Sequence, residues 1–479
     1  MKWLRITIKD HKETLLDALR REGYSVRADC GGRGNCGKCK VRILEPGAGP
    51  ERKEEACSWQ QACRVRGKGT YQVGIPAYTE DEIRPAVLSP ENTADLPRDR
   101  TALAVDIGTT TIAAALTDTD SGRVIKTASC MNSQRSYGSD VLSRIDAANR
   151  GLGEELRNLM MEDLDLLCRQ LGPGQSVEAL SIPVFISGNT TMEHLLQGLS
   201  CRNLGHWPFR PEDISLHSYK NMTILPGIST FVGADTVSGI VACGMDQKKE
   251  ISILVDLGTN GEMAIGNRDR ILVTSTAAGP AFEGGNISCG MASVPGAADR
   301  VVIRKGKVTM TTIGGGRPAG LCGTGVLETV HELLREGIID RNGLMDDRWF
   351  NDGYPLAEGL TFTQKDVREV QLAKGAVRAG IEILMSTYGV TGEEIDRVFL
   401  AGSFGQKLNT EKAAAIGLIP ESLAGRIVSA GNTSLAGAVM AASDPSVCRR
   451  MEHVVSISEE IVLSNREDFN ELYLQYMSF

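Results

Sequence analysis

Three short motifs occur twice in this chain, in the same order, and that duplication limits the possible folds more than any other feature. Leu103-Ala-Val-Asp106-Ile-Gly108-Thr109-Thr110 returns as Ile253-Leu-Val-Asp256-Leu-Gly258-Thr259-Asn260. Val184-Phe-Ile-Ser-Gly188-Asn189 returns as Val398-Phe-Leu-Ala-Gly402-Ser403, and Val232-Gly233-Ala-Asp235-Thr-Val-Ser-Gly239 returns more loosely as Ala430-Gly431-Asn-Thr433-Ser-Leu-Ala-Gly437. One such pair arises by chance; three in register indicate two related α/β halves. Each half opens with an apolar strand, a turn and a second strand, Thr111 to Leu116 in the first and Glu262 to Gly266 in the second. Two such halves facing one another enclose a cleft.

The repeated Asp-x-Gly-Thr turn suggests what the cleft receives. Glycine lets backbone approach a phosphate, successive N–H groups and threonine hydroxyls bind its oxygens, and an aspartate at the strand end can hold magnesium or orient an attacking water. A single turn of this kind is equally well a plain hairpin. Two of them in duplicated halves point to a nucleotide gripped from both sides, with Asp106 and Asp256 as the catalytic carboxylates and Gly108, Thr109, Thr110, Gly258, Thr259 and Asn260 at the phosphates. Gly320-Leu-Cys322-Gly323-Thr324-Gly325 either offers further N–H groups or forms a glycine-rich cap packed on a sheet. Thr363 and Asp366 are spaced as a capping box. Val367, Val370, Ala373, Val377 and Ile381 then follow at helical spacing, so this helix packs one face on a core, with Lys365, Arg368 and Lys374 expected in solvent.

The other concentrated signal is Cys30-Gly-Gly-Arg-Gly-Asn-Cys36-Gly-Lys-Cys39, with Cys63 downstream. Three thiolates within ten residues must converge on one small core, and the interleaved glycines permit the tight curl. The pattern C-x5-C-x2-C followed by a distant fourth cysteine is that of a 2Fe-2S loop, one residue longer in its first gap than the plant-type run. Structural zinc would show two C-x-x-C pairs, and only one is present. Cys57 competes with Cys63 as fourth ligand; Cys63 lies nearer the expected separation and precedes Arg64-Val65-Arg66, which reads as strand. The remaining cysteines, from Cys130 to Cys448, are scattered singly and read mostly as small buried apolar groups.

At 479 residues the chain exceeds one core. A polar, proline-punctuated stretch separates the cysteine-rich segment from the duplicated region, which divides the chain into 1–78 (cluster domain), 79–100 (linker), 101–248 (first half) and 249–479 (second half). Residues 1–78 hold 16 Lys/Arg and 9 Asp/Glu, a net of +7; the whole chain is −8, so the remainder carries −15. A basic cluster domain tethered to an acidic body can dock on that body or on an acidic redox partner. Basic residues are not interleaved with aromatics, which argues against nucleic acid. No apolar run approaches the length of a bilayer span, and the first residues alternate like a strand instead of forming a secretion signal; a cytoplasmic, membrane-free protein with reduced thiols is expected.

The duplicated region resembles the superfamily of sugar and acetate kinases, heat-shock chaperones and actin (ASKHA), an actin-like, ribonuclease-H-like duplicated ATPase. The resemblance implies ATP and Mg2+ as ligands. It also places Ala401-Gly402-Ser403-Phe404-Gly405 at adenosine, through Gly402, Phe404 and Gly405, although Ser403 stands where a second glycine is usual. Polar residues at comparable strand ends in that superfamily make Asn189, Asp235 and Glu283 further candidates; His194 reads as structural. Together with the cluster loop, the segments Tyr137-Gly-Ser-Asp-Val141, Ser143-Arg-Ile145, Gly188-Asn-Thr-Thr-Met-Glu-His194, Thr276-Ala-Ala-Gly-Pro-Ala-Phe-Glu283 and Gln364 to Lys374 closely resemble the reductive activators of corrinoid proteins.

That resemblance implies an α+β, β-grasp ferredoxin domain at the N-terminus whose 2Fe-2S cluster is held by Cys30, Cys36, Cys39 and Cys63. The implied activity is ATP-dependent reduction of Co(II) to Co(I) in a methyltransferase corrinoid protein, and a low-potential electron donor and a homodimer are implied with it. The better-known members carry a further middle domain between linker and ATPase. Here Asp106 follows the linker almost directly, so that domain is expected to be missing. The rival expectations are a small-molecule kinase with a fused redox domain, an activator of the 2-hydroxyacyl-CoA dehydratase type, and a non-enzymatic scaffold.

Overall fold

The computed structural model describes residues 2–22, 24, 26, 28, 32–34, 39–44, 57–75, 100–172, 175–402 and 408–479. Cys30, Cys36, Ser403, Phe404, Gly405 and linker residues 79–99 lie outside the described residues, as does the side chain of Cys57.

Among its described residues, the N-terminal unit is one four-stranded sheet and one helix. Strands β1 (Lys2–Ile8), β2 (Lys40–Leu44), β3 (Cys57–Gln61) and β4 (Gly69–Ile75) assemble in the order β1-β4-β2-β3, every pairing antiparallel. Helix α1 (Leu15–Arg21) is started by a capping box between Thr14 and Asp17. It buries Leu15, Leu16 and Leu19 with Ile6, Ile8, Val41 and Val73. In place of the strand expected at Arg64-Val65-Arg66, Arg64 ends a single 3-10 turn, Ala62–Arg64, and Arg66 forms an isolated bridge to Thr14. The turn is tied back into the domain: Ala62 N–H donates to the Cys39 carbonyl (2.8 Å), and the Arg64 guanidinium donates to the Gly34 carbonyl.

The rest of the chain forms two six-stranded sheets of matching topology. In the first, β5 (Thr101–Ile107), β6 (Thr111–Asp118), β7 (Val124–Met131), β8 (Val184–Gly188), β9 (His217–Tyr219) and β10 (Met222–Ile224) lie in the order β7-β6-β5-β8-β10-β9. Helices α2 (Val141–Ala147), α3 (Gly153–Leu171), α4 (Thr190–Gln197) and α5 (Ala234–Ala242) belong to this half. The second sheet contains β11 (Ile251–Leu257), β12 (Gly261–Gly266) and β13 (Ile271–Thr276). A smaller three-stranded sheet, β14 (Ala297–Arg304), β15 (Lys307–Thr312) and β16 (Gly320–Leu321), is inserted, followed by α6 (Gly323–Arg335), α7 (Asp347–Phe350) and the hairpin β17 (Tyr354–Ala357) and β18 (Leu360–Phe362). After α8 (Gln364–Tyr388), β19 (Ile395–Ala401), α9 (Thr410–Ala415), β20 (Ile427–Gly431), α10 (Thr433–Ser443), α11 (Pro445–Ile457), β21 (Ser458–Glu460) and α12 (Phe469–Gln475), the second sheet reads β20-β19-β11-β12-β13-β21.

In both sheets an antiparallel triplet is extended by a parallel strand beside its first member, β8 beside β5 and β19 beside β11, and then by another parallel neighbour, β10 or β20. The central strands β5 and β11 are apolar almost throughout because both of their faces are covered. The two halves join through α5 and α10, the helices of the third repeated motif. A core of Ala104, Ala113, Val237, Ile240, Leu254, Ala264, Leu435 and Ala438 lies between the sheets. The crossing is close because Gly239 and Gly437, equivalent in the repeat, sit at it: a Cβ on Gly437 would lie 2.4 Å from the Ser238 carbonyl, and one on Gly239 2.9 Å from Thr433 Oγ1.

Helix α8 begins with the capping box at Thr363 and Asp366 and buries Val367, Val370, Ala373, Val377 and Ile381. Lys365 and Arg368 are exposed. Lys374 departs from the expected solvent position: it is buried, donates to the Ser478 carbonyl and sits 5.4 Å from the Phe479 ring, because α12 and the residues after it fold over that face. Cys168, Cys201 and Cys322 are buried, whereas Cys130, Cys243, Cys289 and Cys448 are half-buried.

Candidate functional site

The two Asp-x-Gly-Thr turns face one another across a single cleft. Asp106 ends β5 beside Ser187 of β8, and Asp256 ends β11 beside Ala401 of β19, so each carboxylate stands at the mouth of its own sheet. Gly108 allows the turn to close, since a Cβ there would lie 2.7 Å from the Thr111 carbonyl that accepts its own N–H. The threonine hydroxyls meet in the middle: Thr110 Oγ1 and Thr259 Oγ1 are 3.4 Å apart, and both donate to Glu283 Oε2, at 3.1 and 2.8 Å. Asn189 caps α4 and donates to Thr109 Oγ1 at 3.0 Å, tying β8 to the first turn. Gly402, at φ +98°, passes so near that a Cβ would lie 2.7 Å from the Leu257 carbonyl and 2.9 Å from Asp256 Oδ1.

Five carboxyl groups line this cleft, Asp106, Asp235, Asp256, Glu262 and Glu283, and among the described lining residues there is no lysine or arginine. Burial pushes all five upward, and repulsion from neighbouring carboxylates adds to it at Asp235, Asp256 and Glu262. Asp256 reaches about 8, chiefly through desolvation and then through Asp235, Asp106 and Glu283. Asp235 reaches about 6 through desolvation, with Asp106 adding to it. Glu262 is raised well above the ordinary glutamate value by burial and by Asp235 and Asp256. Asp106 and Glu283 are raised by burial but held back by their hydrogen bonds. For Asp106 these come from Asn432 Nδ2 and Ser434 Oγ, both at 2.7 Å, which fix the carboxylate plane from the opposite half.

A surplus of carboxylates around hydroxyls and turn N–H groups suits a cation carried in with phosphate. No three His, Cys, Asp or Glu side chains among the described residues enclose a metal ion by themselves. The carboxylates and threonine hydroxyls of the cleft are oxygen donors of the kind magnesium takes together with phosphate oxygens and water.

Of the residues expected here, Asp106, Gly108, Thr109, Thr110, Asn189, Asp235, Asp256, Gly258, Thr259, Asn260, Glu283 and Gly402 all line the one cleft. The Gly320–Gly325 stretch does not: a Cβ on Gly325 would lie 2.1 Å from the Ala298 carbonyl, so it is the cap packed on the inserted sheet. His194 is structural, buried between the Thr190 carbonyl and the Glu212 N–H. Sequence reasoning missed Glu262, Asn432 and Ser434. The signal was in the third repeated motif, whose second copy carries Asn432 and Ser434.

In the cluster domain, Cys39 and Cys63 are buried, with sulfurs 3.2 Å apart. Two cysteine sulfurs held that close are a donor pair suited to one iron. Gly32, at φ +93°, passes 3.9 Å from Cys63 Cβ as measured from its own notional Cβ, so the backbone at Gly32 runs beside the pair.

Comparison with known proteins covers almost the whole chain. The family described as a 2Fe-2S iron-sulfur cluster binding domain matches residues 2–68, and "C-terminal domain of RACo the ASKHA domain" matches 250–479. The corrinoid activation enzyme RamQ of Eubacterium limosum is 32% identical over 420 residues, 79% of this chain and 70% of that protein. The chain belongs to the family of corrinoid-protein activators. A second member, the [Co(II) methylated amine-specific corrinoid protein] reductase of Methanosarcina barkeri, is 27% identical over 79% of this chain and 76% of its own length. A solved structure, "Reductive activator for corrinoid,iron-sulfur protein", superposes with a TM-score of 0.73 at 26% identity, covering 99% of this chain and 96% of that one.

One expectation is overturned. The activators' middle region is not missing, because the family described as "RACo middle region" matches residues 101–248. The three repeated motif pairs mark the same stretch as a half of the duplicated region, so the first half and the middle region are one segment.

Proposed function

We infer that this activator reduces the cobalt of a methyltransferase corrinoid protein from Co(II) to Co(I), using ATP, Mg2+ and a 2Fe-2S cluster held by Cys30, Cys36, Cys39 and Cys63. The observation that carries the reading is the joining, in one chain, of a buried cysteine pair 3.2 Å apart to a cleft whose two facing threonine turns share Glu283. The names of the relatives, a corrinoid activation enzyme and a Co(II) corrinoid protein reductase, support the same substrate over a sugar or other small-molecule acceptor.

Plant-type 2Fe-2S centres lie near about −400 mV, and Co(I) demands a lower potential still, so the transfer needs an energy source. A 2Fe-2S cluster at the four cysteines supplies one-electron chemistry from a low-potential donor. In the cleft, Thr109, Thr110, Thr259 and the turn N–H groups bind phosphate oxygens, while Asp106, fixed by Asn432 and Ser434, faces the cation. Asp256 orients the attacking water, and Gly402, Phe404 and Gly405 border adenosine. Nucleotide draws the two halves together across α5 and α10, and that closure is coupled to the cobalt environment of the bound partner.

The test is anaerobic and optical. Purified protein, a low-potential reductant and a Co(II) corrinoid protein are mixed with and without Mg-ATP, and Co(I) absorbance is followed. Co(I) is expected only with ATP, and is expected to fail in Cys36→Ala and Asp256→Ala. ATP hydrolysis without Co(I) across several corrinoid partners would sink the reading.

A further inference from the structure

The cluster domain is seated on the body at one short turn. The Arg20 guanidinium stacks 4.3 Å from the Tyr137 ring and donates to the Ser136 carbonyl, and Arg33 Nη2 donates to Ser143 Oγ at 3.0 Å. Arg20 is also within electrostatic reach of Cys39 and Cys63, so the face presented to the body is the one nearest the cysteine pair.

The seat is a tightly built piece of structure. Asp140 caps α2, accepting from the Ser143 N–H (2.7 Å) and hydroxyl (3.1 Å), and Gly138 is packed so closely that a Cβ would lie 2.2 Å from Ser143 Cβ. Directly behind it, Arg144 is fully buried. Its guanidinium donates to the Gly138 carbonyl (3.2 Å), Gln134 Oε1 (3.2 Å), Met192 Sδ (3.2 Å) and the Thr109 carbonyl. A buried cation held by neutral acceptors is costly to maintain. This one bridges the seat, at Gly138, and the phosphate turn, at Thr109, in a single side chain.

We propose that the Ser136–Ser143 turn is a docking seat for the chain's own cluster domain, and that Arg144 is the positioning residue that couples its occupancy to nucleotide at the Thr109 turn. The inference rests on the cleft being a nucleotide site. Docked, the cluster domain presents its cysteine face to the body and away from an acceptor. Phosphate bound in front of the Thr109 peptide pulls on the guanidinium behind it, withdraws Arg144 from Gly138, and loosens the seat. Coupling of this kind is reciprocal, so undocking must tighten nucleotide binding by the same factor that nucleotide loosens docking.

The full-length, cluster-loaded protein is titrated with Mg2+ and a non-hydrolysable ATP analogue by calorimetry, and its radius of gyration is measured by X-ray scattering with and without that analogue. The double variant Arg20→Ala/Arg33→Ala is expected to bind the analogue at least about fivefold more tightly than wild type. Wild type is expected to expand on nucleotide, and the double variant to be expanded already. In Arg144→Lys, which cannot hold all four acceptors, the analogue still binds, but the Arg20→Ala/Arg33→Ala difference falls below about twofold. Should Arg144→Lys fail to fold, the Arg20/Arg33 comparison and the scattering carry the test alone. Equal or weaker binding in the double variant, or no nucleotide-dependent expansion of wild type, overturns the proposal while leaving the nucleotide site standing. Absence of analogue binding in every folded variant overturns the nucleotide site itself.

Discussion

Asp256 is an acid whose proton is hard to remove. Its carboxyl stands at about 8 in the cleft against 3.8 in an unfolded chain, because burial comes first and Asp235, Asp106 and Glu283 add repulsion. The folded state therefore keeps a proton that the unfolded chain gives up between about pH 4 and 8, and stability falls as pH rises across that window. Thermal unfolding of nucleotide-free, metal-free protein is expected at lower temperature at pH 8.5 than at pH 6. Asp256→Asn removes the titration: it should flatten the slope, melt above wild type at pH 8.5 by about 2 °C or more, and lose at least about 100-fold in ATP hydrolysis. A slope that survives in Asp256→Asn would locate the strain in Glu262 or Asp235 instead. Asp106 and Asp256 were legible in the sequence because they repeat with their glycines and threonines. Glu262, Asn432 and Ser434 were not, since a polar residue in a strand or helix start carries no sign of which cleft it faces until the halves are packed.

At the scale of elements, local rules worked where an element is decided locally. The capping box at Thr363 fixed the start of α8 and the 3.6-residue period fixed its buried face, but Lys374 was misplaced because only the tertiary return of the chain, with Gln371 Nε2 bonded to the Met477 carbonyl at 2.9 Å, covers that flank. The duplicated topology was legible from three motif pairs; the inserted β14 to β16 sheet had no repeat to announce it. Helix α9 illustrates an element held almost entirely by such non-local contacts. It begins just after the described chain resumes at Leu408, and Lys412 pins it to α6 through Glu328 (2.6 Å) and Glu332 (3.0 Å), whose side chains are 5% exposed. Lys412→Met takes the cation from Glu328, while Glu332 keeps Arg335 at 2.8 Å, and should cost about 3 kcal/mol in urea unfolding. Adding Glu328→Gln should return most of that loss. Failure of the double variant to recover would mean the lysine acts through packing of its stem, not through its charge.

For the whole molecule, the decisive property is that electron carrier and ATP cleft share one chain. The +7 cluster domain rests against the −15 remainder through Arg20 and Arg33, contacts that hold it in reach of its own body. Tethering gives a short-linked domain an effective concentration of the order of millimolar, far above any second copy present at micromolar concentration. Delivery should therefore run within a chain. A mixture of Cys39→Ala, which retains the cleft, and Asp256→Asn, which retains the cysteines, tests this directly: each folded variant alone is expected to leave cobalt as Co(II), and the mixture at micromolar concentration to recover less than about a tenth of the wild-type Co(I) rate. Recovery of half or more would show that the cluster domain of one chain serves the cleft of another, which would make a dimer the working unit. Because Cys39→Ala should still hydrolyse ATP and Asp256→Asn should still load a cluster, ATP turnover and visible absorbance identify a merely misfolded variant before the mixture is read.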